Sequence, residues 1–124
     1  MPRSAIISIR PFFVNAIFEG RKRFEFRRVS SSIETDDHLL IYASAPISAV
    51  VGEFRAGVVL RGPVAEVLTM VGSDDRSEQT MAYLAGAEIC TAIEIVSLVR
   101  WKVVRAPRDI SPNLRAPQSY AFLE

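Results

Sequence analysis

The chain has 124 residues, 49% hydrophobic and 23% charged, which fits one domain able to bury its own core and argues against global disorder. Its single cysteine, Cys90, excludes an intramolecular disulfide, and it reads as a small buried apolar residue in a protein of a reducing, cytoplasmic setting. The net charge of +1 is unevenly spread: Met1–Arg28 holds seven Arg or Lys against two Glu, a local excess of +5, so the remaining 96 residues sum to −4. Such asymmetry is the electrostatic footprint of a protein that meets phosphates, or else a solvated basic face.

Ala5–Ile9 is a short apolar run and predicts a first strand. Pro11 suits the first position of a helix. Phe13/Ile17 and Val14/Phe18 then recur at i, i+4 spacing up to Gly20, which stands at the helix C-cap. Arg23–Arg28 alternates: Phe24 and Phe26 point one way, and Arg23, Glu25 and Arg27 the other. This predicts a half-buried strand with a charged face. Val29–His38 is polar and serine-rich and reads as a loop. Leu39–Ser44 reads as a central strand ended by Ala45-Pro46.

Ala49–Leu60 is rich in Val, with Gly52 and Gly57 marking bends or bulges. Pro63 opens a second helix to about Val71, with Val64, Val67, Leu68 and Val71 on one face. Gly72–Arg76 reads as a turn, and Ser77 as the N-cap of a third helix to Leu84 with Met81 and Leu84 as its seam. Thr91–Val104 is the longest strand pattern. Ala106–Arg115 reads as irregular or one helical turn, and Gln118–Leu123 as a last strand. No segment resembles a secretory signal, and no apolar run approaches the length of a membrane span. Strands outnumber crossover helices, so the predicted fold class is α+β: a small, mostly antiparallel β-barrel with short covering helices, residues 1–124 forming one domain.

Several chemistries lack their residues. One histidine, His38, cannot build a zinc site without partners at ligand spacing, and there is no Ser-His-Asp set, P-loop or dinucleotide fingerprint. No metal and no cofactor is therefore expected. Polar chemistry concentrates at Gly20–Arg28. Alternation puts Glu25 and Arg27 on one face, and Lys22 joins them only from a turn. Such a set can orient a planar base by its edge while an arginine takes a phosphate with its two-pronged fork; it is equally a cross-strand ion-pair ladder. Tyr42 and Ser44 share a strand face beside Ala45-Pro46 and offer a stacking ring and a hydroxyl. Trp101, among Arg100, Lys102 and Arg105, reads as a barrel residue flanked by solvated charges. Phe12, Phe13, Phe24 and Phe26 read as core.

The stretch Ile7-Ser8-Ile9-Arg10-Pro11, the helix to Gly20, and Gly20-x-Lys22-x-x-Glu25-x-Arg27 resemble the ASCH domain, of the PUA-like superfamily. Leu40-Ile41-Tyr42-Ala43-Ser44-Ala45-Pro46, Val50-Val51-Gly52-Glu53-Phe54 and Ala116-Pro117-Gln118-Ser119-Tyr120 extend the resemblance over nearly the whole chain, in the family's order. The resemblance implies a small β-barrel with a cleft beside the first helix, lined by Lys22, Glu25 and Arg27, and closed by the terminal motif with Gln118, Ser119 and Tyr120. RNA binding is the role it most often implies. Some members are described as transcriptional regulators, others as ribonucleases, and one branch as amidohydrolases of acylated cytidine that use a lysine, a threonine and a glutamate. Here Lys22 matches that lysine, but Glu25 stands where that branch has threonine, and only Glu53 and Glu78 offer themselves as a distal acid.

Three readings follow. In a binding module, RNA, a nucleotide or a nucleoside meets Arg10, Lys22 and Arg27 on phosphates or base edges, with Glu25 accepting from an exocyclic amine and Tyr42, Ser44, Gln118, Ser119 and Tyr120 around it. In a metal-independent hydrolase of a modified nucleoside or RNA, Lys22 is a base or electrophile and Glu25 a general acid/base, assisted by Tyr42 or Ser119. In an interaction module the cleft is vestigial.

Overall fold

In the computed structural model, which describes residues 2–72 and 75–123, the chain runs in ten elements. Six are strands: β1 (Ser4–Ile9), β2 (Phe24–Arg27), β3 (His38–Ala43), β4 (Ala49–Pro63), β5 (Ile89–Arg105) and β6 (Tyr120–Phe122). Four are helices: α1 (Pro11–Phe18), α2 (Val64–Val71), α3 (Glu78–Leu84) and α4 (Pro107–Ile110). The strands form one sheet in the order β2-β5-β4-β3-β1-β6, curled into a half-barrel. Only β1 and β3 run parallel, joined by the crossover that carries α1; the other pairings are antiparallel. The α+β, mostly antiparallel barrel expected from the sequence is the fold observed.

Alternation along β1 and β3 sorts the apolar residues onto two faces. Ala5, Ile7, Ile9, Leu39, Ile41 and Ala43 join Phe13, Val14 and Ile17 of α1 in the main core, completed by Phe54 and Ile93. Ile6 and Leu40 belong instead to a smaller cluster with Val50, against which Tyr42, Trp101, Ile110, Leu114 and Leu123 pack. A third cluster joins Phe24 and Phe26 to Val67, Leu68 and Val71 of α2, to Leu84 and to Cys90. The Cys90 thiol is pushed up in pKa by that burial.

Several sequence expectations change on folding. β2 is buried on both faces, because α2 and Leu84 pack on its Phe24/Phe26 side while α1 and the chain before β6 close over its polar side. The half-buried strand with a solvated charged face is thus a strand with a buried ionic face. Arg23 leaves that face: it is exposed and faces Asp75. Phe12, read as core, is 47% exposed, since α1 offers the sheet only the stripe Phe13, Val14, Ala16 and Ile17. The seam of α3 is Thr80 and Leu84, four residues apart, and Met81 faces out. Ser77 is its N-cap, accepting from the Thr80 amide. Of the Gly72–Arg76 turn, residues 73 and 74 lie outside the described residues. Val29–Asp37 has no regular structure but is tied down: Ile33 is wholly buried, and Arg61 donates to the Ser31 and Ile33 carbonyls.

Candidate functional site

β2 forms one edge of the sheet, and β6, next to β1, forms the other. The curl brings these edges close without a ladder of hydrogen bonds between them. The seam holds a cleft of about 420 Å³ lined by the end of β1, by α1, β2 and α3, and by the chain before β6. Its charged lining is Arg10, Lys22, Arg27 and Arg28 against one carboxylate, Glu25.

Local folding places each group. Gly20, at φ 77°, reverses the chain after α1, and the amides of Arg21 and Lys22 both donate to the Ala16 carbonyl, at 2.9 and 3.2 Å. That turn aims Lys22 inward, between the rings of Phe13 and Phe26, with Nζ 5.2 and 4.7 Å from their centroids. Nζ donates to the Phe24 carbonyl and lies 3.6 Å from Glu25 Oε1. Glu25 Oε2 accepts from Arg27 Nη1 at 3.0 Å. Lys22, Glu25 and Arg27 are all buried, so this is an ionic triad sealed into the cleft wall.

Arg27 spans the seam. Nη1 also donates to the Ser8 carbonyl of β1 at 3.0 Å, and Nη2 to Ser119 Oγ at 2.8 Å. The guanidinium fork is therefore occupied by protein groups, while Nε is buried with no hydrogen-bond partner. Ser119 is fixed in turn by its carbonyl, which accepts from the Ser8 amide at 2.8 Å. Its hydroxyl accepts from Arg27 and so keeps its own proton free to donate. Arg10, at the mouth, is exposed and stands 5.4 Å from the Tyr83 ring centroid. Of the four cations, Arg10 and Arg28 are the exposed ones and meet an incoming anion first.

Burial lowers the pKa of Lys22 from 10.5; the attraction of Glu25 and Asp75 opposes the shift without cancelling it, and Arg27 adds to it. Asp75 is a member of this set that its sequence position does not signal. It is buried, accepts from the amides of Arg23 and Phe24 at 2.9 and 3.4 Å, and holds the strand entry beside Lys22. Thr80, Tyr83 and Ser8 also line the cleft. Each lay in a segment read for its apolar pattern, so nothing marked its polar atom.

Of the residues singled out by sequence, Arg10, Lys22, Glu25, Arg27, Ser44, Gln118 and Ser119 come together in the cleft. Tyr42 does not line it. β3 ends at Ala43, so the alternation meant to pair Tyr42 with Ser44 stops between them, and Tyr42 packs in the cluster on the other sheet face. Tyr120 lies in β6, packs on the main core and hydrogen-bonds Ser32 through its hydroxyl, at 3.1 Å to the amide and 3.2 Å to Oγ. Those contacts hold its phenol below the usual pKa. Glu53 is taken by His38 Nε2 at 2.7 Å and Trp101 Nε1 at 2.6 Å, and Glu78 is exposed on α3; neither lines the cleft. Among the described residues, no three His, Cys, Asp or Glu side chains converge as a metal-holding group. Among the described residues, no helix is long and apolar enough to cross a membrane.

No family model matches the chain. It is 29% identical to an ASCH domain-containing ribonuclease of Zymomonas mobilis, over 98% of this chain and 84% of that protein. A crystal structure of ASCH from Zymomonas mobilis superposes with a TM-score of 0.82 at 28% identity, covering 98% of this chain and 88% of that one. A single-substitution variant of the same protein gives 0.83, covering 98% and 91%. A hypothetical protein from Leishmania major shares the fold at a TM-score of 0.59 and 11% identity, over 100% of this chain and 88% of that one.

Proposed function

The chain is an ASCH domain protein, and from that premise we propose that it binds single-stranded RNA or a nucleotide in the seam cleft. The observation that carries this reading is the charge of the lining: four cations face one carboxylate in a cleft of about 420 Å³. Arg10 and Arg28 take phosphate oxygens. The Ser119 hydroxyl donates to the ligand, Glu25 accepts from an exocyclic amine, and Tyr83 offers a ring for stacking. Arg27 positions Glu25 and Ser119 rather than gripping phosphate itself. The lone buried cysteine suits a cytoplasmic setting.

A second reading, cleavage of the bound RNA, is favoured by the relative named a ribonuclease. The ribose 2′-oxygen would bond to phosphorus as the P–O5′ bond breaks, leaving a 2′,3′-cyclic phosphate. The Lys22 amine, with its pKa lowered by burial, would accept the 2′-hydroxyl proton. Arg10 and Arg28 would balance the phosphate charge, and water in the open cleft would protonate O5′. A cytidine deacylase has less support, since Glu25 replaces that branch's threonine.

The test titrates short single-stranded RNAs by fluorescence anisotropy over a range of salt and analyses the products by mass spectrometry. Salt-sensitive binding that weakens in Arg10→Ala is expected. A cyclic-phosphate product lost in Lys22→Ala would establish cleavage. Binding that ignores both salt and Arg10→Ala would refute the cleft as the RNA site.

A further inference from the structure

A path of depressions leads out of the cleft around α1. The cleft shares Phe13, Lys22 and Thr80 with a small neighbouring hollow, which adds Phe12 and Arg21. Those two residues also line a hollow of about 300 Å³ that reaches Phe18 and Arg100. Phe18 and Arg100 in turn open a groove of about 410 Å³ between α1 and the far end of β5, floored by Trp101 and edged by Lys102.

The aromatic rings follow the same course. Tyr83 meets Phe13 edge-on at 6.0 Å, Phe13 meets Phe12 at 5.5 Å, and Arg100 lies over the Phe18 ring at 5.1 Å. Phe12 is the exposed ring among them. Arg100 and Lys102 are exposed and enter none of the ion pairs among the described residues. Arg21 is paired with Glu19; Asp75, in the small hollow, also lines the path, but it is buried and held by Arg23 and the amides of Arg23 and Phe24. Two unpaired cations beside the exposed Phe12 ring and the half-buried Phe18 and Trp101 rings suit a strand that alternates phosphates with stackable bases. The far end of β5 takes this form because β2 covers β5 only from Thr91 to Glu94, and because Trp101–Val104 bulge between the paired positions Gly52/Arg100 and Val50/Arg105.

We propose that this groove is a second RNA subsite, in which a strand seated in the cleft continues over α1 to place phosphates on Arg100 and Lys102. The proposal rests on the cleft being the RNA site. Its ligand class is single-stranded RNA several nucleotides long, and α1, about 12 Å from end to end, is short enough for such a strand to pass.

The experiment compares a dinucleotide with a single strand of about ten nucleotides, in the wild type, in the double variant Arg100→Ala/Lys102→Ala, and in Arg10→Ala. The long strand should bind the wild type more tightly than the dinucleotide. The double variant should weaken the long strand by on the order of tenfold and reduce its log–log salt slope by about 1.4, two single-strand contacts at about 0.7 each. Dinucleotide binding should not change in the double variant. Trp101, the chain's single tryptophan, should change its emission with the long strand only. Equal affinity for both lengths, or a double variant that binds the long strand normally, overturns the subsite and leaves the cleft reading intact. Loss of self-association in the double variant, with RNA binding unchanged, would reassign the groove to a second copy of the chain. If neither length binds, or Arg10→Ala alters neither, the cleft reading fails and the subsite with it.

Discussion

Arg27 of β2 donates to the Ser119 hydroxyl at 2.8 Å across the seam between the two unpaired edges of the sheet. The same guanidinium holds Glu25 and the Ser8 carbonyl. One side chain therefore ties the seam together and builds the polar wall of the cleft.

Arg27→Ala should for this reason be mainly a stability variant. Removing one partner of a buried ion pair costs about 3–5 kcal/mol, because the other is left uncompensated. Lys22 stays 3.6 Å from Glu25, so the loss belongs near the lower end, about 3 kcal/mol. Arg27→Lys keeps the charge but not the fork and should fall between. Urea denaturation monitored by Trp101 fluorescence measures both, and an Arg27→Ala protein with the wild-type midpoint would contradict the seam role.

Lys22 gives a pH dependence whose sign is fixed. Its pKa lies near 10.5 in the unfolded chain and lower in the folded one, chiefly through desolvation. Between the two values the unfolded state binds more protons, so stability rises with pH through that window as the buried charge is relieved. Lys22→Met should abolish this rise relative to the wild type while Arg27 continues to hold Glu25. Parallel stability–pH curves for the two proteins, measured up to pH 10.5, would show that Lys22 pays no burial penalty.

The sequence made the strands legible because their apolar runs are long and β-rich, and the ends of α1 and α3 because Pro11, Gly20 and Ser77 mark them chemically. The cluster Lys22, Glu25 and Arg27 was legible too, as the chain's densest run of charge. Its burial was not. Alternation in Arg23–Arg28 reports two faces of a strand, and only the curl of the sheet, a long-range property, decides that both are covered. The place of Asp75 is not legible for the same reason: its partners Arg23 and Phe24 lie some fifty residues away in sequence, as does Lys22 from Thr80, which shares a hollow with it. Tyr42 and Ser44 part because β3 ends between them, at Ala43, which alternation alone does not mark.

The segment Val29–Asp37 looks like a free polar loop in sequence, and Thr91 explains why it is not one. The buried Thr91 hydroxyl accepts from the Ser31 amide at 2.8 Å and donates to the Val29 carbonyl at 2.7 Å. Thr91→Val preserves shape but strands a buried N–H and a carbonyl, which costs about 1–3 kcal/mol. The Ser31 amide should then exchange with deuterium faster than in the wild type, and Val29, on the rim of the cleft, should be released with it. Unchanged exchange at Ser31 would mean that Arg61, which donates to the Ser31 carbonyl at 2.6 Å, suffices to hold the loop.

Gly52 carries the last prediction, because β4 passes close under both α1 and β5 there. A Cβ at this position would lie 2.5 Å from the Val99 carbonyl oxygen and 2.8 Å from Phe18 Cζ. The Phe18 ring can turn aside. The Val99 oxygen belongs to the β5 backbone and can move only if the strand moves, against the register that pairs Gly52 with Arg100 and Glu53 with Val99. Gly52→Ala should therefore destabilise by about 1–3 kcal/mol, the usual cost of overpacking, and should shift Arg100 away from the Phe18 ring. Thermal denaturation reads the first effect, and the chemical shifts of the Phe18 ring protons read the second. A variant with the wild-type Tm and unshifted Phe18 resonances would show that β5 has slack at Val99, and that the narrow approach at Gly52 does not fix the groove.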